Sequence, residues 1–328
     1  MESPAARQAA GRPADPAPQA LAGASALDTG ANSGLGRSAV AAGLARLGAR
    51  VHPVIRDPAE GERTRAELRA ACLAARLRAR RCDVSEIDAV RRFAAEFLRA
   101  ESTLDALVRD AGVPAAHRRT TTGGGESRPA MRVLGPVRMT ESLRPALRAA
   151  GAARVIRASS GGMFAQPPVA APEYRSGRYR GAVAYAHGKR MQVAPLPEPV
   201  RRRAPDGIAC HAMHPGRVDT PGIASAPPGF HRIAARQPRT GEQGADTKVL
   251  ITAVEPRPVV GRFWRDRRAR PPVLPPWRAG STPHGDGACG SPARGRRTSS
   301  PDLPEHGSPP AFVVLSRLPE PAPVQPAP

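Results

Sequence analysis

Between residues 25 and 270, short apolar runs alternate with longer stretches in which apolar residues recur every three or four positions. The run 25–27 stops at Thr29 and Gly30, and 34–47 follows with Leu35, Ala39, Ala42 and Leu47 on one side, predicting a strand that turns into a helix. A second strand is expected at 51–55, and 58–75 is helical by propensity. Asp83, Val84 and Ser85 close a third strand of weak pattern. In 87–98 the apolar positions are 87, 90, 93, 94, 97 and 98, the spacing of one helix face. Further strands are expected at 104–108, 155–156, 208–213 and 259–263. Strands separated by helix-length segments cannot pair through hairpins, so the simplest product is an α/β fold with a parallel, doubly wound sheet of Rossmann type.

Composition sets the limits of that domain. Residues 1–22 are rich in Ala, Pro and Gly and read as a disordered arm. Residues 271–328 hold 15 of the 39 prolines and read as a disordered Pro/Gly/Arg-rich tail. The stretch 23–270, about 250 residues, suits one α/β domain. No apolar run approaches the roughly 18 residues of a membrane span, and 1–23 lacks the continuous apolar core of a secretory signal. A cytoplasmic protein is the expectation. Cys72, Cys82, Cys210 and Cys289 form no CxxC pair, which argues against a zinc ribbon and a disulfide framework.

Charge changes the picture less than its size suggests. Fifty Lys and Arg against 28 Asp and Glu give a formal +22. Only Lys189 and Lys248 are lysines, and Asn32 is the only asparagine, a skew that points to GC-rich coding. The arginines are spread along the chain without interleaved aromatics, so a specific nucleic-acid partner is not expected, although adhesion to polyanions at low salt is.

After the first strand comes Thr29-Gly30-Ala31-Asn32-Ser33-Gly34-Leu35-Gly36, a TGxxxGxG arrangement at a strand-to-helix turn. Glycines let the backbone approach a pyrophosphate, whose charge is favoured by free N–H groups at the helix start. A plain Gly-rich turn is the bland alternative. Arg56, just past the second strand, stands where it could neutralise the 2′-phosphate of NADP, or be only a solvated arginine.

Tyr185 and Lys189 share one helix face at i and i+4, with Ser159 and Ser160 about twenty-five residues upstream. An ammonium beside a phenol favours the phenolate and makes tyrosine a usable general acid or base, and Ser160 could hydrogen-bond a substrate oxygen. A lone YxxxK is more often two surface residues; order and context give this one its value.

TGxxxGxG, Asp83-Val84, Ala111-Gly112, Ser160, Tyr185-xxx-Lys189 and Pro215-Gly216-Arg217-Val218-Asp219-Thr220, in that order, resemble the short-chain dehydrogenase/reductase family over about residues 23–270. Ser-Ser-Gly-Gly-Met at 159–163, His-Pro-Gly at 214–216, Pro-Gly-Phe-His at 228–231, Gln-Gly-Ala-Asp-Thr at 243–247 and Gly-Arg-Phe-Trp at 261–264 narrow the resemblance to one branch. The resemblance implies a Rossmann fold that binds NADP, with NAD possible, and moves a hydride between nicotinamide and a small-molecule carbonyl or alcohol. It implies that Tyr185 passes the proton, that Lys189 assists it and holds the nicotinamide ribose, and that Ser160 orients the substrate. Asp83 would face the adenine and Thr220 the carboxamide.

The departures are equally definite. Asn-Asn-Ala-Gly becomes Arg109-Asp110-Ala111-Gly112, and Arg132 stands where the family places the asparagine of its proton relay. A guanidinium donates but cannot accept, so Arg132 does not copy an amide. Asp28, Arg81, Arg109 and Arg157 fall in strands that should be apolar. Prolines at 195, 197 and 199 stop the helix bearing Tyr185, a helix through which members of this family commonly pair, so a monomer or weak homo-oligomer is expected. Three readings follow in order: an NADP-preferring oxidoreductase, a decayed member without turnover, and a basic nucleic-acid-binding protein.

Overall fold

The computed structural model describes residues 13–30, 39–112, 121, 130–164, 180–193, 204–216, 218 and 239–272. At its centre lies a nine-stranded sheet: β1 (Ser25–Asp28), β2 (Arg50–Ile55), β3 (Arg76–Leu77), β4 (Arg80–Arg81), β5 (Ala106–Arg109), β6 (Arg154–Ala158), β7 (Ala209–Met213), β8 (Phe263–Arg265) and β9 (Arg268–Arg270). The order is β3-β2-β1-β5-β6-β7-β8-β9, with β4 also on β2, and every pairing is parallel except β8 with β9. The doubly wound α/β arrangement expected from the pattern is the one observed. Strand order reverses between β1 and β5, which opens a crevice above their carboxyl ends, where such sheets take ligands.

Seven helices flank the sheet among the described residues: α1 (Ala41–Arg46), α2 (Pro58–Ala71), α3 (Ile87–Ala100), α4 (Gly135–Ser142), α5 (Arg144–Ala149), α6 (Gly181–Met191) and α7 (Gly241–Ala253). Alternation along the strands feeds two separate cores. Leu27, Leu107, Val155 and Cys210 meet Phe93, Phe97, Met139 and Leu147 of α3, α4 and α5 on one face. Ala26, Val108, Ile156 and Met213 meet Leu44 of α1, Leu68 of α2 and Ile251 of α7 on the other. In α3 the buried residues Val90, Phe93, Ala94 and Phe97 follow the i, i+3, i+4, i+7 spacing that defined the helix in the sequence. Burying a side chain such as Phe97 contributes about 2–3 kcal/mol. Sharp starts fix the other helices: Asp57 caps α2 by accepting the Ala59 N–H at 2.9 Å with Pro58 at the first position, and Thr240 and Gln243 form a capping box on α7.

Several expectations are corrected in detail. The weak third strand is two fragments, β3 and β4, interrupted at residues 78 and 79. The register of β2 places Pro53 opposite that gap, and proline has no N–H to continue the ladder. The last strand is not 259–263. Val259 and Val260 are exposed, Gly261 has φ +77°, and the chain joins β7 only from Phe263 before turning back as β9. Helix 58–75 ends at Ala71, after which Cys72 is extended. Residues 13–22 pack on the domain: Leu21 is buried and bonds the Leu47 carbonyl, and Asp15 pairs with Arg267. Most of the glycine turn (31–38), the segment with Pro195, Pro197 and Pro199, and the tail beyond 272 lie outside the described residues. Among the described residues no helix is long and apolar enough to cross a membrane.

Candidate functional site

Two turns meet at the crevice. The Thr29 N–H bonds the Val108 carbonyl at 3.0 Å, and the Thr29 hydroxyl accepts from the backbone N–H groups of Asp110 (3.2 Å) and Ala111 (3.5 Å). Thr29 thus stitches the turn after β1 to the turn after β5. Gly30 lies so close to that second turn that a Cβ would sit 2.8 Å from Asp110 Cβ and 3.0 Å from the Asp110 carbonyl carbon. Only a glycine lets the two turns approach this closely, and a tight Gly turn at the end of the first strand is compatible with a dinucleotide. Asn32, Ser33, Gly34, Leu35 and Gly36 lie outside the described residues.

The other expected cofactor residues surround this turn. Arg56 is exposed directly after β2, its neighbour Asp57 being occupied as the helix cap. Asp83 is half-buried, and its Oδ1 accepts from both the N–H (2.9 Å) and the hydroxyl (2.6 Å) of Ser85. The Val84 side chain belongs to the core, which leaves its backbone for a ligand. Ala111 and Gly112 line the turn after β5.

Beyond β6 the chain turns through a short 3-10 segment, Gly161–Phe164, against α6. Ser159 and Ser160 part company here. Ser159 is buried and donates its hydroxyl to the Lys189 carbonyl at 2.8 Å, a structural bond. Ser160 is partly exposed and its Oγ accepts the Gly162 N–H at 3.3 Å. A Cβ on Gly162 would lie 3.4 Å from Tyr185 Cε1 and 3.8 Å from Ser160 Oγ, so this glycine separates the two side chains by about the width of one small group. The buried Lys189 ammonium donates to the Ala158 carbonyl at 2.8 Å and stands 5.8 Å from the Tyr185 ring centroid. Ser160, Tyr185 and Lys189 are therefore brought together. Arg132 sits in the π-helical turn Ala130–Leu134 that leads into α4, and its side chain is outside the described residues.

After β7 comes the loop His214-Pro215-Gly216. His214 is buried, and its Nδ1 accepts the Gly216 N–H at 3.2 Å. Burial first, then the Arg265 charge, pushes His214 down to about 4, so it stays neutral and able to accept. Gly216 has φ +83°, and a Cβ there would lie 2.6 Å from the Arg239 guanidinium, which also donates to the Pro215 carbonyl at 3.2 Å. Asp266 pairs with Arg239, and Val218 bridges to residue 239. Thr220 lies outside the described residues.

The charges in the strands resolve into three cases. Arg81 is exposed on the edge. Arg109 and Arg157, register partners, are buried toward α4 and α6, where they reach Thr140 Oγ1 (3.5 Å) and the Gln192 carbonyl (3.4 Å). Asp28 is buried on the opposite face, its Oδ1 accepting the Gly30 N–H at 3.2 Å. Near it the fully buried Lys248 ammonium of α7 pairs with Asp110. Burial foremost, with the Asp110 charge second, pushes the Asp28 carboxyl up to about 8. Sequence reasoning marked Asp28 and Asp110 as departures but missed Lys248, His214 and Arg239. One signal was available: Lys248 is one of two lysines and interrupts the apolar half of its helix.

The sequence pattern described as short chain dehydrogenase matches residues 24–228. Dehydrogenase/reductase SDR family member 12 of Bos taurus is 37% identical over 259 residues, 78% of this chain and 80% of that protein. Human retinol dehydrogenase 12 is 29% identical over 75% of this chain and 78% of its own length. Among solved structures, the Pseudomonas aeruginosa RhlG/NADP active-site complex superposes with a TM-score of 0.60 at 25% identity, covering 75% of this chain and 96% of that one.

Proposed function

The chain belongs to the short-chain dehydrogenase family, whose members are NAD(P)-dependent oxidoreductases, and from that premise we propose an NADP-preferring enzyme that acts on a small carbonyl or alcohol compound. The observation that carries the reading is the placement of the Ser160 hydroxyl and the Tyr185 ring on two sides of Gly162, with the Lys189 ammonium 5.8 Å from the ring centroid.

A bound nicotinamide would supply or accept the hydride at the substrate carbon. The Tyr185 hydroxyl passes the proton to or from the substrate oxygen, and the Lys189 charge favours the phenolate that this leaves behind. The Ser160 hydroxyl, turned outward where Ser159 is turned in, holds the substrate oxygen beside the phenol. Thr29, Gly30, Ala111 and Gly112, with Asn32, Ser33, Gly34, Leu35 and Gly36 that follow in sequence, would hold the pyrophosphate. Asp83 and the Val84 backbone would face the adenine, and Pro215, Gly216, Val218 and Thr220 the carboxamide. Arg56 meets the 2′-phosphate, a charge-assisted contact of roughly 1.5–3 kcal/mol. NADP in the complex of the Pseudomonas aeruginosa relative supports that cofactor.

A second reading, a member that binds cofactor without turnover, draws on the replacement of the relay asparagine by Arg132 and on the arginine buried at position 109. Fluorescence titration with NADPH and NADH separates the possibilities. NADPH should bind about tenfold more tightly than NADH, and Arg56→Ala should abolish the difference. Equal affinities would remove the NADP preference. Absence of binding by either cofactor would overturn the oxidoreductase reading. Binding without reduction of any carbonyl compound would favour the second.

A further inference from the structure

Beneath the cofactor turn lies a set of charges that the hydride chemistry does not use. Asp28 ends β1, Asp110 follows β5, and Lys248 reaches Asp110 from α7, its charge also felt by Asp28. All three are buried or nearly so, with the Lys248 side chain fully enclosed. Their contacts run into the floor of the crevice: Asp28 Oδ1 holds the Gly30 N–H, and Asp110 Cβ abuts Gly30. Asp28 Oδ2 has no hydrogen-bond partner among the described residues.

Among the described residues, the charges acting on Asp28 are those of Asp110 and Lys248. Its β2 register partner is Pro53 and its β5 partner is Val108. Arg109 and Arg157 point to the opposite face of the sheet. On α7, Glu242 pairs with Arg46 of α1 and Asp246 pairs with Arg267, both on the exposed side. Two carboxyls therefore stand against one ammonium, with Asp28 and Lys248 fully buried. Removing one member of a buried pair leaves its partner uncompensated.

The geometry points to Lys248 as a positioning residue for the dinucleotide: its ammonium balances the carboxyls under the Gly30 turn, and the net charge of the trio sets how tightly an anionic pyrophosphate is held above it. The inference rests on the cofactor reading given above. With Asp28 protonated, the Asp110–Lys248 pair is neutral and the floor is hospitable to phosphate. Loss of the Asp28 proton, or of the Lys248 charge, leaves one negative charge below the pyrophosphate. Burial and the Asp110 charge hold Asp28 protonated up to about pH 8, so the floor is neutral at physiological pH.

The test is NADPH fluorescence titration of the full chain between pH 6.5 and 9.5, with circular dichroism confirming the fold of each variant. Lys248→Met should weaken NADPH at pH 7 by about tenfold, the size of one added repulsion at the effective dielectric of a protein. The double variant Asp110→Asn/Lys248→Met, which removes both charges together, should return to within about threefold of wild type. Wild-type affinity should fall as the pH rises through 8, while Asp28→Asn should bind NADPH with a much flatter profile. A folded Lys248→Met that binds as wild type does would overturn the inference, as would an Asp28→Asn profile identical to wild type. If Lys248→Met does not fold, the double variant and Asp28→Asn still decide. Wild type failing to bind any nicotinamide cofactor would sink the cofactor reading itself, and this inference with it; binding that ignores the trio sinks the inference alone.

Discussion

The two halves of the crevice are built from different material. On the β6–α6 side, Ser160, Tyr185 and Lys189 come together, held by bonds to backbone carbonyls, the Ser159 hydroxyl to that of Lys189 and the Lys189 ammonium to that of Ala158. On the β1–β5 side, the apolar and amide positions expected of the family hold Asp28, Arg109 and Asp110, and a lysine from a distant helix answers the two carboxyls while Arg109 reaches Thr140 on the other face. The contrast shows how a chain can accept charges in a central strand. They are tolerated where a counter-charge can be brought in on the same face, as Lys248 is, or where the head group can reach a carbonyl at a helix end, as Arg157 reaches Gln192. The β6–α6 half rests on directed hydrogen bonds, and the β1–β5 half on the balance of buried charges.

The largest expected effect breaks the charge-dependent half. Lys248→Met should cost about 3–5 kcal/mol in urea unfolding because it strands a buried carboxylate, with most of that loss recovered in the double variant with Asp110→Asn. Next come the two glycines that mark the halves. Gly30→Ala forces a Cβ to 2.8 Å from Asp110 and onto backbone, and should destabilise by about 1–3 kcal/mol. Gly162→Ala brings its Cβ only into ordinary contact with Tyr185 and should change stability by less than about 1 kcal/mol. Equal costs for the two would erase the distinction drawn here.

The pH dependence of melting sharpens the comparison further. His52, His211 and His214 are each pushed down to about 4, by burial first. The unfolded chain protonates them near pH 6.5, so it binds more protons than the folded chain in that window and stability falls as the pH drops from about 6.5 to 4. Asp28 acts in the other direction. Protonated in the folded chain up to about 8 but ionised near 4 when unfolded, it contributes stability that is present in acid and lost as the pH rises through 8. Melting temperature should therefore peak near about pH 6.5. Asp28→Asn should flatten the alkaline limb and steepen the acid limb, because the extra proton that folded Asp28 holds between about 4 and 8 no longer offsets the histidines, a result checked by calorimetry across pH 4.5–9.

Much of this was legible in the chain. The helix at Ile87–Ala100 announced itself through four apolar positions on one face, and the order of Ser160, Tyr185 and Lys189 predicted a cluster that the fold assembles. What escaped had physical causes. The interrupted strand opposite Pro53 and the shift of the last strand to Phe263–Arg265 depend on pairing partners distant in sequence, which local pattern does not encode. Asp28 and Arg109 looked like uncompensated charges because Lys248 and Thr140, which answer them, lie on other elements. Arg239 escaped because its contact with Gly216 exists only once residue 239 is bridged to Val218.

Proton transfer at Tyr185 should be separable from the buried charges of Asp28, Asp110 and Lys248 beneath Gly30. Steady-state reduction of a neutral carbonyl compound by NADPH, measured for wild type and Tyr185→Phe with NADPH affinity determined on the same samples, tests it most directly. The account predicts that turnover falls by about 10²- to 10⁴-fold while the affinity stays within about twofold. Unchanged turnover in Tyr185→Phe, or an affinity that collapses together with turnover, would contradict it.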